Sequence, residues 1–120
     1  MTPLALALSL VLVSAAAAAP CARDPQIPAA LPVVACPKLV VPSPCHWCPL
    51  GDTFLDLHYD AAPGALAMSW AGALRGAGWT VTAQAGGIVN ATHGKQRVSM
   101  HLGAGRTSNT TVIRLTYSPG

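Results

Sequence analysis

The chain has 120 residues, a formal net charge of +3, and only 9% charged side chains. That length supports one domain and not two. The few basic residues carry no aromatic-basic motif, so specific nucleic-acid binding is not expected.

Residues 1–19 run Met1-Thr2-Pro3, an apolar stretch from Leu4 to Val13, Ser14, then alanines to Ala19. This order predicts a signal peptide, with Ala16-Ala17-Ala18 as the small-x-small cleavage site. The apolar stretch is short for a membrane span. The expected location is therefore secreted or periplasmic. Cys21 raises a lipid anchor, but Pro20 precedes it and Ala18 stands where a Leu is usual, so plain secretion fits better.

Residues 20–50 hold eight of the eleven prolines and all four cysteines. Proline fixes φ and removes a donor, so this stretch is expected to run extended, as a leader or linker. Its short apolar runs Leu31–Val34 and Leu39–Val41 are the parts suited to lie against a domain. Residues 51–120 are read as that domain, a core small enough that covalent or partner support is plausible.

Thr53–Tyr59 alternates, with Leu55, Leu57 and Tyr59 on one face and Phe54, Asp56 and His58 on the other, which predicts a half-buried strand. Pro63 suits a first helical turn. Leu66, Trp70, Ala73, Leu74 and Ala77 follow at helical spacing, predicting one amphipathic helix over 63–77. Gly76 and Gly78 end it. Trp79–Gln84, Ile88–His93, Arg97–Leu102 and Thr110–Tyr117 are further strands. Gly86-Gly87 and Gly94-Lys95 mark tight turns between them.

The expected fold is α+β: a single helix on one face of a small antiparallel sheet, in the order β-α-β-β-β-β, behind a Pro-rich extended segment. The opposite sheet face would carry Thr80, Thr82, Arg97, Ser99, His101, Arg114 and Thr116. The strand–helix–strand opening, with its join Ala-Leu-Arg-Gly-Ala-Gly-Trp-Thr-Val over residues 73–81, resembles the sporulation-related peptidoglycan-binding repeat. That family's second helix has no counterpart here, and no function is carried over.

Cys45-His46-Trp47-Cys48 is a Cys-x-x-Cys pair, which can be a redox dithiol, half of a metal site or a structural disulfide. A redox pair belongs at a helix N-terminus; here Pro49 follows. Cys36, Cys45, His46 and Cys48 offer sulfur and imidazole donors suited to Zn or Cu, at irregular spacing. An oxidising compartment favours disulfides among Cys21, Cys36, Cys45 and Cys48, and four cysteines allow three connectivities.

There is no Glu, and after Asp60 every formal charge is positive: Arg75, Lys95, Arg97, Arg106 and Arg114. This half would favour an anionic partner. Asp56, His58 and Asp60 share one strand face at two-residue spacing, a pattern open to cation binding or to a plain wet edge. Asp60 is alternatively placed to begin the helix. His93 falls on the inward face or at the hairpin end. Asn90 and Asn109, the two asparagines, both lie in glycosylation sequons, to be modified if the host is eukaryotic. No nucleophile–base set or phosphate loop is present.

The first functional expectation is a non-enzymatic binding domain without a cofactor. Arg97, His101 and Arg114 on the polar face, or the last loop, would meet a protein or an anionic glycan. The alternatives are a Zn or Cu protein using the leader and a Cys-x-x-Cys thiol–disulfide protein.

Overall fold

The structure, a computed structural model, describes residues 22–120. The expected signal peptide, residues 1–19, and Cys21 lie outside them. Six strands form one antiparallel sheet: β1 (Leu39–Pro42), β2 (Thr53–Tyr59), β3 (Thr80–Ala85), β4 (Ile88–His93), β5 (Gln96–Ala104) and β6 (Thr111–Ser118). One helix, α1 (Pro63–Gly76), joins β2 to β3. The sheet order is β1-β2-β6-β5-β4-β3. The predicted β-α-β-β-β-β order is present from β2 onward, and the leader adds β1 at the edge.

Local chemistry sets the element ends. Ala62 caps α1 without a side-chain bond, and Pro63 opens the helix, where its missing N–H costs nothing. Asp60 does not cap the helix; it faces Lys38 at 3.7 Å. Gly78 follows the helix at φ +90°, a conformation a Cβ disfavours, and Trp79 N–H closes the turn on Leu74 O at 2.9 Å. Gly86 and Gly87 both have positive φ, as a two-residue hairpin turn requires. A Cβ on Gly87 would also stand 2.8 Å from the Leu102 carbonyl oxygen.

Leu66, Trp70, Ala71 and Leu74 are the buried face of α1. Ala71 takes the place expected of Ala77, because the helix stops a residue early and Ala77 becomes its exposed cap. These side chains share one core with Leu55, Leu57, Val89, Val98, Met100, Ile113 and Leu115, all at most 3% exposed.

One helix cannot cover this sheet. Six strands span ~24 Å from first to last, and a helix is ~10 Å wide. α1 lies over β3, β4 and β5. The leader covers more of the same face: Leu31, Val34 and Val40 are buried, and Ile27 packs against them. The Tyr59 hydroxyl donates to Val34 O at 3.2 Å, and the Gln26 amide donates to Val40 O at 3.0 Å. The Arg23 guanidinium donates to Pro28 O, Ala29 O and Leu31 O. Through residues 27–42 the leader is thus part of the fold rather than a spacer. Ala35 holds φ +46°, a strained value for alanine, between buried Val34 and disulfide-bonded Cys36.

The prolines keep their predicted effect within this role. β1 is only four residues long, ends at Pro42 and sits at the sheet edge, where a missing N–H breaks no ladder. At the other edge β3 carries an irregularity between Val81 and Ala83, which bends the edge and makes it a poorer template for further strands.

Candidate functional site

With α1 and the leader on one side, the opposite face of the sheet is covered by none of the described residues. Strand alternation and register place its residues in rows. One row runs Val41–Asp56–Arg114–His101–Ile88 across β1, β2, β6, β5 and β4. The next runs Phe54–Thr116–Ser99–Asn90–Ala83, and a third Ser118–Arg97–Thr92–Thr80. All are half-buried or exposed. The expected polar face is therefore present, with Phe54, Val41, Ile88 and Ala83 as its apolar members.

The three residues expected to bind a partner do not act as one cluster. Arg114 is turned onto Asp56, Nε to Oδ1 at 3.1 Å and Nη2 to Oδ2 at 3.3 Å. That hydrogen bond, and then the carboxylate's charge, push the guanidinium pKa further above its ordinary value. Its charge is thus locally balanced. His101 and Arg114 line a hollow beside Gly86 and Gly87. Arg97 lies instead in a depression of roughly 360 Å³ with Asp52, Thr82, Asn90, Ser99, Thr116 and Ser118. The Ser99 hydroxyl donates to Asn90 Oδ1 at 2.8 Å, fixing that amide. Among the described residues the Arg97 guanidinium makes no ion pair or hydrogen bond, so its donors are available to a ligand.

The Asp56-His58-Asp60 face is divided. Asp56 goes to Arg114 and Asp60 to Lys38. His58 lines a larger hollow of roughly 800 Å³ with Lys38, Arg106, Thr110 and Val112. Among the described residues no three His, Cys, Asp or Glu side chains gather at metal-binding distance. His93 shares the inward face of β4 but stands exposed at the hairpin end, its ring 5.4 Å from that of Trp79.

Cys45 and Cys48 form a disulfide with Cα atoms 5.8 Å apart, and Cys36 is also disulfide-bonded. The pair sits in the loop between β1 and β2, not at a helix N-terminus. His46 is exposed beside it. Of the sequon asparagines, Asn109 is exposed in the β5–β6 loop, and Asn90 is half-buried on the open face.

On the covered side, burial pushes the Tyr59 hydroxyl pKa up, partly opposed by the indole N–H of Trp70. Among the described residues that indole nitrogen reaches no acceptor at good hydrogen-bonding geometry.

The Asn90–Ser99 pair was readable in principle. A two-residue turn at Gly94-Lys95 sets His93 opposite Gln96, and the same register sets Asn90 opposite Ser99. No local signal announces Asp56–Arg114, whose members are 58 residues apart.

Comparison with protein-family models, with curated proteins and with solved structures found no match. Among the described residues no helix is long and apolar enough to cross a membrane.

Proposed function

We propose that this protein is an exported, non-enzymatic binding domain that receives its ligand on the open sheet face, at the depression around Arg97. The observation that carries this reading is a guanidinium that, among the described residues, has no partner, set among hydroxyls and a fixed amide on the sheet face that α1 and the leader do not cover. Such a set suits carboxylate or sulfate groups with neighbouring hydroxyls, as on an anionic glycan or an acidic protein loop. The apolar run and small-residue site in residues 1–19 support export, and paired cysteines suit an oxidising compartment.

The test is salt elution from an immobilised sulfated polysaccharide. Arg97→Gln elutes at clearly lower salt than the parent, whereas Arg114→Gln, whose charge is already balanced by Asp56, shifts it less. Equal elution of the parent and Arg97→Gln would remove this face from consideration.

The metal and thiol–disulfide alternatives start from the same sulfurs. As Zn or Cu ligands, Cys36, Cys45 and Cys48 would first need their disulfides reduced, with His46 as the imidazole donor. Exchange activity in a dithiol assay that Cys45→Ser abolishes would favour the thiol–disulfide reading.

A further inference from the structure

The chain has three tryptophans. Trp70 and Trp79 are 1% and 5% exposed, but Trp47 is 97% exposed, and Leu50 close by is fully exposed. Both stand on the loop between β1 and β2, where the Cys45–Cys48 disulfide brackets Trp47, and Pro44 and Pro49 stiffen the backbone on either side of it, Pro49 directly before Leu50. An indole and an isobutyl group held fully in water contribute nothing to the core. Their rigid mounting means that little conformational freedom is lost if they are buried elsewhere.

We infer that this loop is a membrane-contacting tip, which inserts Trp47 and Leu50 into the headgroup boundary of an anionic lipid surface. Two side chains on a projecting loop offer far less than the ~800 Å² per partner of a standard protein interface. A lipid surface needs no matching shape, and tryptophan concentrates at the membrane–water boundary. Charge supports the same occupant. The loop meets the sheet at Thr53, which pairs with Tyr117; Arg97, opposite Ser118, and the Gly94-Lys95 turn lie at that same end. Lys95 and Arg97 are both exposed and face the lipid headgroups once the tip is inserted. Asp52 is the acidic side chain close to them, half-buried in the Arg97 depression.

The test uses the full chain with vesicles of phosphatidylcholine alone or mixed with phosphatidylglycerol. Bound fraction is read by sedimentation, and depth by tryptophan emission and its quenching by acyl-chain-brominated lipid. On mixed vesicles the emission shifts to the blue and is quenched, because the two buried tryptophans have little room to change. Trp47→Ala lowers partitioning about tenfold, and Leu50→Ser about fivefold. Lys95→Gln lowers it about fivefold on mixed vesicles only. All three positions are exposed, so folding is retained, as circular dichroism would verify. Three results would overturn the inference: unshifted emission on mixed vesicles; partitioning unchanged by Trp47→Ala, as when residues 1–19 alone hold the chain; or Trp47-dependent binding of a purified protein with no vesicle binding.

Discussion

The two faces of the sheet are built from the same strands, yet they do different work. On β2, Leu55, Leu57 and Tyr59 are buried while Phe54, Asp56 and His58 alternate with them on the open side. On β5, Val98, Met100 and Leu102 point inward, and Arg97, Ser99 and His101 outward. The inner set meets α1 and the leader in one core. The outer set is positioned by that core without contributing much to it. A side chain released from packing can be polar, charged or changed at little cost, and the proposed binding on the outer face relies on that freedom.

Substitutions test this division, beginning with the largest effect. Leu57→Ala or Ile113→Ala, both fully buried, should cost about 2–5 kcal/mol in chemical denaturation. Thr116→Ala on the outer face should stay within about 0.5 kcal/mol. Similar losses on both faces would break the comparison.

The leader belongs to the inner face, so Leu31→Ala should cost about 2–3 kcal/mol despite lying outside the 51–120 segment. A leader that only tethers would show no loss.

Tyr59→Phe sharpens the comparison at its polar margin. It removes the bond to Val34 O, worth about 1 kcal/mol. It also changes the response to alkali. Burial raises the folded pKa above the ordinary 10.0, so the folded state holds its proton more tightly than the unfolded chain. Stability from the neutral phenol is therefore complete below pH 10 and falls as pH rises through the folded value. A pH series of denaturation midpoints should show this alkaline loss in the parent and a smaller one in Tyr59→Phe.

The smallest effect belongs to the outer ion pair. Asp56→Asn frees Arg114, whose side chain is 66% exposed, and should leave the denaturation midpoint within error. Retention on the sulfated polysaccharide should rise, because a second guanidinium is released.

Much of this arrangement is legible in the sequence because it is local. Two-residue alternation gave β2 and β5, helical spacing ending at Gly78 gave α1, and Gly86-Gly87 and Gly94-Lys95 gave the hairpins. What could not be read depends on pairing across distance. β1 is four residues ending in a proline, and only its partner β2 makes it a strand. The core role of Leu31 and Val34 follows from the width of sheet left bare by one helix. Arg114 looked like a free cation until β6 was laid beside β2 and met Asp56. Asp60, which a helix start would use, is drawn to Lys38 of the leader instead.

The order β1-β2-β6 has a consequence for when folding can finish. β2 finds its inner neighbour in the last strand, Thr111–Ser118. A chain emerging from the ribosome can fold α1 and close the β3–β4 and β4–β5 hairpins early. β2 and the leader strand must wait until the C-terminal strand has been made. Such long-range closure slows folding, and it leaves one edge of β2 without its neighbour until β6 is available, so the half of the sheet that holds the leader is the last to close.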